Sequence, residues 1–287
     1  MQSYKSTVVR PLFLILALTL LPGCGGSSGP NAPPTPAPLS ADNLNLIFVV
    51  SEDLAYQAPG DLNPSTANLT NRGLQRSLRM ATFLRRHVLG RKNVTGVYVL
   101  EPMTHLQTTG NYPDMAAPET VQQFALLNQI TLPTELPPIY APYTGNSYPL
   151  NASYASGSIP TGVATPAVVC VNCQGLDFTD QGGDNETLVT GIVAANVPGF
   201  YVFSAPWEPT RALLANINKM EGYNLTLPAS YAGPNYIYAI AIPPSGSASL
   251  VTFNSNLKPP STYPKLPKPA PVSTHGAGAF QHRSARR

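Results

Sequence analysis

The sequence predicts an α/β domain: a three-layer sandwich with a mainly parallel sheet flanked by helices, a closing β-hairpin and a long irregular insertion. Three observations carry that expectation. Apolar runs fit for burial on both faces recur at LIFVV (residues 46–50), VTGVYVLE (94–101) and FYVFS (200–204), as in parallel strands covered from two sides. Stretches with helical periodicity stand between them, and alternating strand and helix builds a parallel sheet with helices packed on it. Near the end, NYIYAIAI and SLVTFNSN flank PPSGSA, the pattern of an antiparallel hairpin.

Each helix has its own signal. In LTNRGLQRSLRMATFLRRHVLG, Leu74, Leu78, Ala81, Leu84 and Val88 recur at helical spacing, while Arg72, Arg76, Arg79, Arg85 and Arg86 fall mostly elsewhere and read as the wet face. Thr70 is placed to cap this helix and Gly90 to end it; His87 reads as a surface residue. PETVQQFALLNQI predicts a second helix after Pro118, with Val121, Phe124 and Leu127 inward. The insertion, about 131–181, is Pro, Tyr, Thr, Ser and Gly with little periodicity, and its length suits a lid over one edge. DNETLVTGIVAAN, capped by Asp184 or Asn185, and PTRALLANINKM complete the helices.

Neither end of the 287-residue chain reads as folded domain. Lys5 and Arg10 precede an apolar run from Pro11 to Leu21, and small residues follow to Cys24, the layout of a secretory signal over 1–23. The run is too short to cross a bilayer. Residues 24–41 are Gly, Ser, Pro and Ala without charge, a tether unable to bury enough apolar surface to offset its ordering entropy. Residues 258–287 hold six basic residues and no acid among many prolines, a disordered basic tail.

The two ends change the charge reading. Of 17 Lys+Arg, two lie in the signal and six in the tail, leaving 9 against all 14 Asp+Glu, so the domain over 42–257 carries −5 where the chain carries +3. An acidic domain argues against nucleic acid as a partner, because phosphate backbones require a basic footprint. Cys170 and Cys173 in VVCVNCQG read as a disulfide pinning a loop in an oxidising compartment, with a redox motif or half a zinc site as alternatives. DFTDQGGDNE comes nearest to a calcium loop and lacks its spacing, so neither metal nor cofactor is expected.

Leu21-Pro22-Gly23-Cys24 resembles the bacterial lipobox, which implies cleavage before Cys24, a lipid on its thiol and a cell-envelope protein facing the periplasm, its partners the membrane and an unidentified envelope ligand or protein. LTNRGLQ, EPMTHLQT and FYVFSAPWEPTRALLANI together resemble the histidine phosphatase, or phosphoglycerate-mutase-like, superfamily, in the order and spacing of a helix start and two strand-ending turns. On the family motif the first arginine falls on Val50, the nucleophilic histidine on Ser51, the second arginine on His105 and the closing histidine on Ala205. All four are replaced. The resemblance therefore implies a degenerate, non-catalytic member with a candidate cleft of Ser51, Glu52, Asp53, Glu101, His105, Trp207 and Glu208, whose carboxylates oppose a phosphate dianion. The alternatives are a hydrolase with Ser51 as nucleophile and His105 as base, oriented by Glu101 or Glu52, or a residual activity of the phosphatase type should the alignment not hold.

Overall fold

A computed structural model of the chain describes residues 35–56, 60–104, 113–127, 150–151, 169–170, 175–178, 180, 182–260 and 262. The expected α/β class is present. The order is β1 (Leu44–Val50), α1 (Asn71–Phe83) running into a π-helical turn (Leu84–Val88), β2 (Gly96–Val99), β3 (Met103–Thr104), β4 (Pro113–Asp114), α2 (Ala116–Leu127), β5 (Leu150–Asn151), β6 (Val169–Cys170), α3 (Asp184–Ala195), β7 (Gly199–Ala205), α4 (Trp207–Met220), β8 (Tyr236–Ile242) and β9 (Ser249–Asn254).

β1 and β7 are buried along their whole length, as runs apolar on both faces must be. They pair in parallel from Leu44↔Gly199 to Val50↔Ala205, and β1 pairs antiparallel with β8. Asn45 and Ser204 are the polar exceptions: Asn45 Nδ2 donates to the carbonyls of Ser40, Asn43 and Gly199 while its Oδ1 has no partner among the described residues, and Ser204 Oγ donates to the Ala117 carbonyl at 3.0 Å, so the donors of both side chains are met inside the sheet. Phe203 stacks on Phe48 and on Tyr98, each at 5.3 Å, tying β7 to both neighbours. The sheet order is β6-β5-β2-β7-β1-β8-β9, parallel from β6 to β1 and closed by the β8–β9 hairpin.

Ile47, Val49 and Val202 pack with Met80, Ala81 and Leu84 of the first helical run and with Val121 and Phe124 of α2. Leu46, Phe48, Val50 and Phe203 pack with Leu188 and Val189 of α3 and with Leu213, Leu214 and Ile217 of α4. The helix that follows β1 thus contributes to one cluster and the helix that follows β7, its neighbour, to the other, so the sheet has a topological switch point between these strands. Open α/β sheets form a crevice outside the strand ends at such a point.

Several expectations require correction. Along α1 the inward residues are Gly73, Gln75, Arg76, Ser77, Met80 and Ala81; Leu74 is only half-buried and Leu78 is 46% exposed. The first two turns face polar partners, since Ser77 Oγ donates to the Glu119 and Thr120 carbonyls. The run then ends in a π turn, where the Leu89 N–H reaches back to the Leu84 carbonyl at 2.9 Å, and Leu84 and Val88 are buried there as the spacing expects. Thr70 does cap α1, accepting from the Gly73 N–H at 3.3 Å, and Gly90 takes the left-handed conformation after the turn. Gly73 is required by space, because a Cβ there would lie 2.3 Å from the Asp61 carbonyl oxygen.

α2 begins at Ala116 rather than after Pro118, which a proline tolerates in a first turn where no N–H partner exists. α3 is capped by neither Asp184 nor Asn185 but by left-handed Gly183, while Asp180 Oδ1 accepts from the Asn185 N–H. The stretch read as wholly irregular supplies β5 and β6, two-residue strands too short to show a period. The remainder of that stretch, apart from residues 175–178 and 180, lies outside the described residues.

Candidate functional site

Ser51 is the first residue beyond β1, and its N–H donates to the Ala205 carbonyl at 2.9 Å across the switch point. Ser51 and Ala205, the two positions at which the family resemblance would place histidines, are therefore neighbours. Ser51 is 1% exposed, and its Oγ has no hydrogen-bond partner among the described residues. Glu52 follows, 3% exposed. Asp53 turns the chain outward, its Oδ1 accepting from the Ala55 N–H at 2.8 Å and its carbonyl from the Tyr56 N–H.

From β7, Pro206 leads into α4, whose first turn carries Trp207 and Glu208. Trp207 is buried against Tyr231 and Tyr238 at 6.2 and 6.0 Å, so the single tryptophan packs and offers no open face. Glu208 is exposed and accepts from the Tyr56 hydroxyl, a bond that, with the Glu208 charge, holds that phenol above its ordinary value. Tyr56 lies edge-on to Tyr231 at 5.4 Å. The structure thus brings together Ser51, Glu52, Asp53, Trp207 and Glu208.

Glu101, beyond β2, takes a different partner. Its N–H donates to the Leu176 carbonyl; burial, then the charge of Asp177, then a hydrogen bond between the two carboxyls push its pKa up. His105, Cys24 and Cys173 lie outside the described residues, and Cys170 is described only in its backbone. Among the described residues no three His, Cys, Asp or Glu side chains gather to hold a metal ion.

Sequence reasoning missed the residues beneath Glu52. Asp61 is fully buried and receives two arginines of α1: Arg76 Nε at 2.5 Å on one oxygen and Arg72 Nε at 3.0 Å on the other. Arg76, 8% exposed, also donates to Asn235 Oδ1 at 2.6 Å and to the Leu257 carbonyl at 3.0 Å. The reading of these arginines as wholly solvated is thereby corrected: a small pocket opens between Val50, Glu52, Asp61 and Arg76, and its charges are of both signs. Tyr231 borders the same group; burial first, then Glu52, raise its pKa, and Arg76 partly opposes them.

Across from Asp53, burial pushes the Asp114 carboxyl up to about 7, with the charges of Asp53 and Glu119 adding to the effect. Asp114 Oδ1 accepts from the Ala116 N–H at 2.8 Å, and Glu119 Oε2 from the Leu69 N–H at 2.9 Å. The available signal was the pair of acids around Pro118, which by themselves indicate only a helix start. No protein-family model and no curated protein matches the chain.

Proposed function

We propose that the protein is a bacterial cell-envelope lipoprotein, lipidated at Cys24, whose domain is a histidine-phosphatase-like three-layer sandwich that binds a ligand and does not turn it over. The observation that carries this reading is Ser51. Phosphohistidine chemistry requires an accessible imidazole at the end of the first strand and cations around the transferred group. At that position stands a buried serine whose hydroxyl touches no base among the described residues, and its cross-strand neighbour is Ala205. The strand ends carry Glu52, Asp53 and Glu208, while Arg72 and Arg76 are engaged by Asp61. This distribution disfavours a phosphate dianion and favours a neutral or cationic ligand. The joined pair Cys170 and Cys173 belongs to this reading as a link within the insertion, most of which lies outside the described residues.

The test is an assay of the purified mature chain on phosphate monoesters and on small carboxylic esters, with Ser51→Ala and His105→Ala as controls. The expected result is no turnover of either class. Phosphatase turnover abolished by either substitution would overturn the degenerate-site reading, and ester turnover lost in both variants would replace it with a serine hydrolase.

A further inference from the structure

The basic residues of the domain are concentrated on one element. Seven of the nine Lys+Arg between residues 42 and 257 fall between Arg72 and Lys92, and no Asp or Glu occurs from Leu62 to Leu100. Arg72 and Arg76 turn inward to Asp61. Arg79, Arg85, Arg86, His87, Arg91 and Lys92 are exposed, and among the described residues none of them forms an ion pair with an acid. The turn after the helix is held to it by Arg91 N–H to the Arg85 carbonyl and Lys92 N–H to the Leu89 carbonyl, so Arg85, Arg86, Arg91 and Lys92 share one end of the helical run, with Arg79 earlier along it. A helix dipole favours a cation in its last turn, but it does not call for a field of five Arg and Lys without acids.

The described residues nearest both ends of the chain meet this helical run. The Leu39 N–H donates to the Val88 carbonyl at 2.9 Å, and Pro38 lies against Gly90, so Pro38 and Leu39 lie beside the turn that carries Arg91 and Lys92. At the other end Arg79 Nη1 donates to the Lys258 carbonyl at 3.0 Å, and Lys258 is itself exposed.

We propose that this face, Arg79 to Lys92 with Lys258, is a docking surface for anionic lipid headgroups. A cationic field draws a protein to a negatively charged bilayer within about a Debye length, and a chain tethered beside that field returns to it at high effective concentration. Stable attachment ordinarily needs two signals, a lipid chain plus a basic patch; the lipid belongs to the lipoprotein reading above, the patch to the folded domain. Docked this way, the helix end faces the membrane, and the lipid restrains rotation that a tether alone would leave free.

The experiment uses the full mature chain with Cys24→Ser, which cannot carry lipid, sedimented with vesicles of phosphatidylcholine with and without phosphatidylglycerol. Binding is expected only to the anionic vesicles and to weaken as salt rises. Each cation removed weakens such binding about fivefold, so Arg85→Gln/Arg86→Gln should lower it about twenty-fivefold, while Lys219→Gln on α4 leaves it unchanged. Neutralising Lys265, Lys268, Arg283, Arg286 and Arg287 tests the tail separately. Full retention of binding in the Arg85/Arg86 variant, loss in the tail variant alone, or binding to duplex DNA without binding to anionic vesicles would each overturn the proposal. Absence of acylation at Cys24 in cells, with vesicle binding intact in vitro, would refute the lipoprotein reading and leave the docking surface standing.

Discussion

Arg76 and Arg86 stand on one continuous helical run and meet opposite surroundings. Arg76 enters the domain to a fully buried carboxylate, an asparagine and a backbone carbonyl; Arg86 projects into solvent with no acid near it in the sequence. The same side chain serves in one place as an internal brace beneath the candidate cleft and in the other as part of an outward field. What separates them is Asp61, which a loop carries under the first turns of α1, where Gly73 lets the backbone approach. A guanidinium crosses into a protein only when its charge is met and its donors are satisfied.

The largest effect should come from breaking that brace. Asp61→Ala strands Arg76 and the half-exposed Arg72, and removing one partner of a buried pair costs about 3–5 kcal/mol, which urea unfolding would read directly. A loss below about 1 kcal/mol would mean that water already screens the pair, and the contrast between the two arginines would be one of degree only.

Much of the architecture was legible in the sequence, for reasons visible in individual residues. LNLIFVV and GFYVFSA are buried throughout, so their apolar runs sufficed, and the hairpin was marked by its turn residues. The inward face of α1 was not legible. Its buried arginine depends on an acid fifteen residues upstream, and helical periodicity carries no term for a non-local ion pair. Leu74 and Leu78, though spaced for the stripe, ended partly outside because the inward face of those turns is given to Gly73, Arg76 and Ser77, while Leu84 and Val88 in the π turn are buried as the spacing expects. At the candidate site, the placement of Ser51 beside Ala205 followed from recognising strand ends. The burial of Ser51 and Glu52, and the placing of Asp114 near both Asp53 and Glu119, depend on how loops close over the sheet and left no pattern.

A second test sharpens the difference between the carboxylate-rich strand ends and the acid-free helix end. Burial raises Asp114 from 3.8 to about 7, so the folded state holds a proton that the unfolded chain releases. Stability from this group is complete below the unfolded value and is lost as pH rises toward the folded one. Glu101 and Glu119 shift in the same direction. Asp114→Asn keeps an oxygen to accept the Ala116 N–H and removes the titration. Its melting temperature should match the parent near pH 4 and exceed it by a few degrees at pH 7. Equal values at both pH values would show that the carboxyl ionises without strain.

The smallest expected effect is the most informative about the outer arginines. Arg85→Gln/Arg86→Gln removes two exposed cations that have no ion-pair partner among the described residues, and substitutions of that kind stay within about 0.5 kcal/mol. Two opposing contributions make the value small: the cations favour the carboxyl end of the helical run through its dipole, and they repel one another and Arg91 through solvent. Raising salt should therefore alter the stability of parent and variant by nearly the same amount. A cost above about 2 kcal/mol would mean that these arginines brace the fold as Arg76 does, and the two ends of the helix would then differ in exposure alone. An unchanged fold together with lost vesicle binding would assign the outer pair to the membrane and the inner pair to the domain.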